Sequence, residues 1–209
     1  MRKRGYFITF EGPDGSGKTT VSKAVYEHLK EMGVDAIYTR EPGGIDIAEQ
    51  IRNVILDPRN TAMDQRTEAL LYAASRRQHL VELVLPALKK NQIVLCDRFV
   101  DSSLAYQGFG RHLGIDEVFN INYFATDGLM PDKTIFLDLS AEEGLKRIEN
   151  RVYKDRLDQE SLNFHFDVVK GYQEVVKRFS DRMVVIDASK NSEEVINEAL
   201  VAVMAIING

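Results

Sequence analysis

The stretch from Tyr6 to Thr20 limits the possible folds of this chain more than any other part of the sequence. Its first five residues are a run of aromatic and β-branched side chains, which predicts a buried strand. The run is followed by G-x-x-x-x-G-K-T at residues 12–19, the pattern of a phosphate-binding loop. Beyond the loop, apolar residues recur at helical spacing, at Val21, Val25 and Leu29. The sequence therefore predicts strand, glycine-rich loop and helix in the order that such a loop requires.

A loop of this kind binds the phosphates of a nucleoside triphosphate through several groups. Glycines let the backbone curl so that its N–H groups point at phosphate oxygens, and the helix N-terminus adds partial positive charge. The Lys18 side chain supplies a full charge to the terminal phosphates, and the Thr19 hydroxyl is a ligand for Mg²⁺. We expect the whole loop to form the nucleotide site: Gly12, Pro13, Asp14, Gly15, Ser16, Gly17, Lys18 and Thr19.

Four further strands are predicted, each followed by a helical segment. They are short apolar runs at residues 35–39, 93–97, 133–138 and 183–187. A long helix is expected from Arg66 to Lys90, with Pro86 as the position for a kink. The alternation of strand and helix predicts a parallel sheet with helices on both faces.

The composition excludes several classes of function. The net charge of the 209-residue chain is −5, so binding to nucleic acid as a polymer is disfavoured. No apolar stretch approaches the length of a membrane span, and we expect no membrane partner. The single cysteine, Cys96, cannot form a disulfide within the chain, and a cytoplasmic protein is expected. A small phosphorylated ligand in a local basic pocket fits these limits.

Cations near the ends of the predicted strands indicate a second anion site, because ligands of parallel sheets collect at that edge. The chain offers four arginines for this site: Arg40, Arg52, Arg76 and Arg98. Further along, residues 151–160 are densely charged, which predicts a mobile cationic lid at about residues 150–160. We use the name lid segment for residues 150–160.

Three classes of phosphate-loop protein are candidates for a chain with this pattern. A regulatory GTPase would need an N/T-K-x-D segment to read guanine, and the sequence has none. A motor or ABC-type ATPase usually has an apolar strand that ends in Asp-Glu, but the strands ending at Asp138 and Asp187 lack the glutamate. A small-molecule kinase needs a second anion site and a closing cationic segment, and both are present. We therefore predict an α/β, three-layer P-loop kinase fold with a five-stranded parallel sheet, formed by residues 1–209 as a single domain.

Four segments of the chain resemble thymidylate kinases of the bacterial type. They are residues 10–20 (F-E-G-P-D-G-S-G-K-T-T), 39–44 (T-R-E-P-G-G), 97–108 (D-R-F-V-D-S-S-L-A-Y-Q-G) and 156–158 (R-L-D). The third segment is specific to that family, whereas the phosphate loop is shared across the superfamily. The resemblance covers essentially the whole chain in the same order. It implies that the protein phosphorylates dTMP to dTDP with ATP and Mg²⁺.

The resemblance also implies roles for individual residues. Lys18 and the loop backbone would hold ATP, and Thr19 would bind Mg²⁺. Asp97 would belong to the same metal site by ordering its water shell, or would organise the acceptor side. Arg40 and Arg98 would hold the acceptor 5′-phosphate, since guanidinium groups suit phosphate geometry. The remaining implied contacts are Arg52 and Glu41 at the acceptor, Tyr72 stacked on thymine, Arg76 at a base carbonyl, Ser103 and Gln107 at the base edge, and Tyr106 under the deoxyribose.

The family has two arrangements of its catalytic arginine. One places an arginine inside the phosphate loop directly after the aspartate, and here that position is Gly15. The other supplies it from the lid segment, where Arg151, Lys154 and Arg156 are the candidates. The chain therefore resembles the lid-arginine type, with Arg151 and Arg156 both open. The implied catalytic set is Lys18, Asp97, Arg98, Arg151 and Arg156.

Another P-loop nucleoside monophosphate or deoxynucleoside kinase is the alternative. A 5′-phosphate is largely ionised at neutral pH and needs no general base. A nucleoside hydroxyl would need one, for which Glu11 or Glu41 is the candidate. A nucleotide-switched interaction protein is a third class, and no switch sequence supports it. The apolar residues of the predicted long helix cover more than one face, which predicts a homodimer.

Overall fold

A five-stranded, wholly parallel sheet forms the centre of the fold, as predicted. The computed structural model describes residues 4–149 and 155–209. The spatial order of the strands is β2-β3-β1-β4-β5. The strands are β1 (Phe7–Glu11), β2 (Ala36–Arg40), β3 (Ile93–Asp97), β4 (Lys133–Asp138) and β5 (Met183–Asp187).

Helices follow the strands along the chain. The α-helices are α1 (Lys18–Glu31), α2 (Asp46–Leu56), α3 (Gln65–His79), α4 (Leu85–Lys89), α5 (Val100–Ser103), α6 (Ile115–Thr126), α7 (Ala141–Ile148), α8 (Leu162–Arg178) and α9 (Ser192–Asn208). Four of them begin with side-chain caps, at Asp64, Ser140, Ser161 and Asn191. The Ser140 hydroxyl accepts from Glu143 N, and the Asn191 amide oxygen accepts from Glu194 N. In the part of the chain that the structure describes, no helix has the length and apolar character to span a membrane.

The two faces of the sheet bury separate apolar layers. Side chains alternate along a strand, so Ile8 and Phe10 of β1 pack against α1 and α9, while Phe7 packs on the opposite side. That opposite layer includes Leu80, which directly follows α3, and Val175 of α8. The predicted covering of the sheet on both faces is therefore confirmed.

The predicted long helix is interrupted. In place of one helix over residues 66–90, α3 ends at His79, a π-helical turn follows over Leu80–Val84, and α4 ends at Lys89. In that turn the Leu85 N–H bonds to Leu80 O, five residues back. The turn lies directly before Pro86, whose ring has no N–H and obstructs the regular α-helical pattern. The widened turn accommodates the proline while the chain stays helical.

The parallel sheet brings the strand ends that carry polar residues to one edge. Arg40 at the end of β2 is in register with Asp97 at the end of β3, and Asp97 is also in register with Phe10 of β1. The phosphate loop leaves β1 one residue later, after Glu11. The site described next lies at this edge, where ligands of open α/β sheets bind.

Candidate active site

A cavity of about 390 Å³ brings most of the predicted site residues together. The predicted residues that line it are Asp14, Gly15, Gly17, Lys18, Thr19, Arg40, Glu41, Arg52, Tyr72, Arg76, Asp97, Arg98, Ser103, Tyr106 and Gln107. The other loop residues, Gly12, Pro13 and Ser16, do not line it. Two predicted lid residues, Arg151 and Lys154, lie outside the residues that the structure describes.

The phosphate loop has the backbone that its glycines permit. Gly15 and Gly17 have φ angles of 79° and 85°, in the left-handed region that other residues rarely adopt. Lys18 then begins α1, and its ammonium donates to Pro13 O at 2.7 Å and to Ser16 Oγ at 3.3 Å. Burial, followed by repulsion from Arg98, lowers the pKa of Lys18 to about 7. The lysine is held against the loop in a place that favours an anion.

Gly15 occupies the loop position at which the other arrangement has its arginine. A Cβ at Gly15 would lie 2.2 Å from Gly144 O of α7. An arginine side chain at this position would therefore require α7 to move away from the loop. The packing agrees with the lid-arginine type that the sequence predicts.

Thr19 and Asp97 meet at the junction of the loop and β3. The Thr19 hydroxyl donates to Asp97 Oδ2 at 2.5 Å. Hydroxyl and carboxylate oxygens are hard metal ligands of the kind that Mg²⁺ prefers. The residues predicted to hold the metal are thus adjacent and fit it chemically.

Arg98 links the phosphate loop to the rest of the cavity. It has a φ angle of 69°, which is uncommon for a residue other than glycine and often accompanies a functional position. Its guanidinium bonds to Asp14 Oδ1 at 2.5 Å, while the Tyr106 hydroxyl donates to Asp14 Oδ2 at 2.7 Å. Burial alone would raise the pKa of Asp14, but Arg98 and Lys18 lower it to about 2.

Glu11 supports the turn that carries Arg98. Its Oε1 accepts from the Phe99 N–H at 2.6 Å and its Oε2 from the Ser102 hydroxyl at 2.5 Å. Tyr172 donates to Oε2 at 3.1 Å. Burial, and then the nearby carboxylate of Asp101, raises the pKa of Glu11 to about 7. The side chain does not line the cavity, and its two oxygens accept bonds from the turn after β3 and from α8.

Two arginines lie side by side where the acceptor phosphate is expected. Arg40 Nη1 and Arg52 Nη1 both donate to Pro42 O, at 3.1 Å and 2.9 Å. Arg40 also pairs with Glu49 at 2.8 Å. Burial and the neighbouring Arg40 lower the pKa of Arg52. A bound anion would relieve this repulsion.

Arg76 occupies the buried end of the cavity. Its guanidinium donates to Glu41 Oε2 at 2.7 Å, to Ser103 Oγ at 3.0 Å and to Phe99 O at 2.9 Å. The other oxygen of Glu41 bonds to His79 Nδ1 at 2.8 Å. Glu41 is therefore a buried partner of Arg76, rather than an unpaired loop carboxylate that could act as a base.

Tyr72, Tyr106 and Gln107 form the remaining wall. Tyr72 lies one helical turn before Arg76 on α3, and burial raises the pKa of its hydroxyl. Tyr106 is 4% exposed, and its ring lies edge-on to those of Phe164 and Tyr172. The structure thus adds aromatic and amide side chains to the lining of the cavity, and the Tyr106 hydroxyl connects this wall to Asp14 of the phosphate loop.

The structure does not bring Arg156 to the phosphate loop. Its Nε donates to Ile55 O at 2.8 Å and its Nη2 to Glu68 Oε2 at 2.6 Å. The side chain is 8% exposed and does not line the cavity. The expected position opposite the transferred phosphate is therefore not observed, because a buried carboxylate and a helix-end carbonyl hold the guanidinium elsewhere.

Arg147 is a cavity residue that the sequence analysis missed. It belongs to the last turn of α7 and donates to Gly15 O at 3.3 Å and to Ala188 O at 3.0 Å. The available signal was a basic residue at the end of a helix that starts with a capping box, which says little about contacts with the loop. Arg147 adds a further cation beside the phosphate loop.

Comparisons with known proteins agree on one family. The family described as thymidylate kinase matches residues 10–199. A thymidylate kinase of Geobacillus sp. (strain WCH70) is 56% identical over 208 residues, covering 99% of each chain. One from Bacillus velezensis is 61% identical and covers 94% of this chain and 93% of its own. The crystal structure of thymidylate kinase from Ehrlichia chaffeensis has a TM-score of 0.77 and 33% identity, covering 98% and 99% of the two chains.

Proposed function

The chain belongs to the thymidylate kinase family, and from that premise we propose that it transfers the terminal phosphoryl group of ATP to dTMP, giving dTDP. One observation of the structure carries the proposal. A single cavity joins the phosphate loop to a second group of cations, Arg40, Arg52 and Arg98. Two phosphorylated ligands can therefore meet inside it with their phosphates adjacent.

The main obstacle to this reaction is the repulsion between two polyanions. Lys18 and the loop N–H groups hold the donor phosphates, and Arg98 with Arg40 holds the acceptor phosphate. The acceptor oxygen is largely ionised at neutral pH, so no side chain has to remove a proton from it. Binding, orientation and charge neutralisation are thus the tasks of the protein.

Thr19 and Asp97 are the residues that would hold Mg²⁺. Bound there, Mg²⁺ would supply positive charge that offsets the negative charge of the phosphates. In our proposal the lid segment closes over the two ligands and excludes water, which would otherwise accept the phosphoryl group. Arg151 supplies the transfer arginine, because the guanidinium of Arg156 is already bound to Glu68 and Ile55 O.

The alternative, a deoxynucleoside kinase, would need Glu11 or Glu41 as its base, and both carboxylates are already bound by other groups. Both oxygens of Glu11 accept bonds from the turn after β3 and from α8. Both oxygens of Glu41 bind Arg76 and His79. Neither carboxylate is available to take a proton from a nucleoside hydroxyl, so a phosphate acceptor is favoured.

An acceptor panel tests the function. ATP consumption is measured with dTMP, dUMP, dCMP, dGMP and thymidine, each compared with ATP alone. We expect dTMP to give the highest kcat/KM and thymidine to give none. If thymidine or another monophosphate is turned over faster than dTMP, the proposed activity is wrong and the alternative kinase activity takes its place.

Tyr106 is expected to exclude ribonucleotides. Its buried ring lines the cavity beside Arg98, whose guanidinium carbon lies 5.0 Å from the ring centre. Tyr106→Ala would remove the surface that a 2′-hydroxyl meets. The preference for dTMP over its ribonucleotide analogue, as a ratio of kcat/KM values, should fall roughly 10–100-fold.

Tyr106→Phe is the matched control for this prediction. It keeps the ring and loses only the hydroxyl that donates to Asp14. If the ring excludes the ribose, the phenylalanine variant keeps the preference while overall activity falls. An unchanged ratio in Tyr106→Ala would remove this residue from the sugar site.

We also propose a homodimer through the outer face of α3 and α6. These helices pack on each other and expose large apolar side chains, among them Leu70 (56%), Tyr123 (53%) and Phe124 (88%). Large exposed apolar side chains on two neighbouring helices support a protein contact at this face. Sedimentation should show a dimer that Phe124→Asp converts to monomer. Val201→Asp, at an exposed apolar position on α9, should leave the dimer intact.

A further inference from the structure

Glu68 joins three polar side chains at a single buried carboxylate. Its Oε1 accepts from Gln107 Nε2 at 2.8 Å, and its Oε2 accepts from Arg156 Nη2 at 2.6 Å. Arg111 donates to both oxygens, at 3.3 Å and 3.1 Å. The residue lies on α3 and is 1% exposed, so water does not compete for these bonds. Nothing in the proposed transfer chemistry uses this carboxylate directly.

The surroundings of Glu68 keep it ionised. Burial alone would raise its pKa, but the hydrogen bond and charge of Arg111, with the bonds from Gln107 and Arg156, lower it. An ionised carboxylate can accept hydrogen bonds but cannot donate them. Any group that bonds to Glu68 must therefore be a donor.

This restriction fixes which way the Gln107 amide points. A glutamine amide has an NH₂ donor at one end and a carbonyl acceptor at the other, and the two can exchange by rotation about the terminal bond. Beside Glu68 only the NH₂ group forms a good contact. The carbonyl oxygen of Gln107 is consequently held on the other side of the amide, as an acceptor for a ligand in the cavity that this residue lines.

We propose that Glu68 is a specificity-determining positioning residue: it orients the Gln107 amide so that the nucleobase meets a hydrogen-bond acceptor, which selects bases with an imide N–H. This inference rests on the proposed function, because it assumes that the base of dTMP lies against Gln107. Thymine and uracil present N3–H at this edge, whereas cytosine presents a bare N3 that accepts. In cytosine, the N3 acceptor would then face the carbonyl oxygen of Gln107, and a contact between two acceptors is unfavourable.

The test is Glu68→Gln, which keeps the side-chain shape and removes the charge. An amide at this position can pair with Gln107 in either orientation, so the acceptor is no longer fixed. We expect the ratio of kcat/KM values for dTMP over dCMP to fall about tenfold or more. The ratio for dTMP over dUMP should stay within about twofold, because both bases carry N3–H. A general structural defect would not separate these two ratios.

Two further variants complete the experiment. The double variant Glu68→Gln/Gln107→Glu exchanges the two groups. The amide NH₂ at position 68 then donates to the carboxylate at position 107, whose other oxygen remains an acceptor for the base. We therefore expect the dTMP/dCMP ratio to recover relative to Glu68→Gln. Glu174→Gln removes one carboxylate from the exposed face of α8, where it pairs with Lys177, and should change neither ratio.

The outcomes separate this inference from the proposed function. If the wild-type chain does not phosphorylate dTMP, the proposed function fails. If it does, and Glu68→Gln folds with an unchanged dTMP/dCMP ratio, the orienting role of Glu68 is wrong. If Glu68→Gln does not fold, as judged by its thermal melt, the exchange variant decides: loss of the wild-type ratio there overturns the inference.

Discussion

Lys18→Ala is expected to lower kcat at least about 10³-fold while the protein keeps its fold. The ammonium group is held at the phosphate loop by Pro13 O at 2.7 Å and Ser16 Oγ at 3.3 Å. A bound triphosphate would place its terminal oxygens in this region, where charge develops as the phosphoryl group moves. A positioned cation stabilises that charge without having to reorganise, and water cannot replace it in a closed site. Single-turnover rates with saturating ATP and dTMP measure the loss.

Two comparisons make this result specific. Lys18→Met keeps most of the buried side-chain stem and should be as inactive as the alanine variant, with an unfolding midpoint close to wild type. Lys30→Ala, at an exposed position in the last turn of the same helix, should leave kcat within about twofold. Substantial turnover by both Lys18 variants would contradict the assignment of the loop.

The sheet could be predicted from the sequence because its strands are short apolar runs with sharp ends. β3, β4 and β5 begin and end where those runs do. β1 and β2 instead extend one residue further, to Glu11 and Arg40. In these two strands the apolar run ends before the charged residue, yet the backbone continues to pair there. Both charged side chains have partners at the sheet edge. Glu11 accepts a hydrogen bond from the Phe99 N–H, and Arg40 forms an ion pair with Glu49.

The general location of the site could also be predicted from the sequence. Parallel strands place their carboxyl ends at one edge, so the loop after β1, Arg40 and Asp97 had to lie near one another. The register of β2 against β3 pairs Arg40 with Asp97 directly. The individual roles of these side chains remain predictions until variants are measured.

The partners that complete the site could not be predicted, because they are distant in the sequence. Glu68 bonds to Arg111 and Arg156 across 43 and 88 residues. The position of a glutamate on an amphipathic helix does not tell whether its carboxylate is buried among several hydrogen-bond partners or exposed to solvent. For the same reason the charged run of the lid segment indicated cations at the transferred phosphate but not that Arg156 turns back to α2 and α3.

Arg151→Ala is expected to lower kcat by about 10³–10⁵-fold, with little change in the affinity for either nucleotide. A transfer arginine stabilises charge that is present only in the transition state, so its loss reduces kcat and kcat/KM together. Arg156→Ala should behave differently. It removes a partner from Glu68 and Ile55 O, which weakens the position of the lid segment and raises the KM for dTMP more than it lowers kcat.

A second-site variant separates the two arginine arrangements of the family. Gly15→Arg places a guanidinium in the phosphate loop, and in another member such a residue could replace the lid arginine. Here a Cβ at this position would meet Gly144 O at 2.2 Å, and the backbone has a φ angle of 79°. Gly15→Arg should therefore fail to restore kcat to Arg151→Ala. If Arg156→Ala proves the more damaging change to kcat, Arg156 is the transfer arginine, and it must leave Glu68 when the substrates bind.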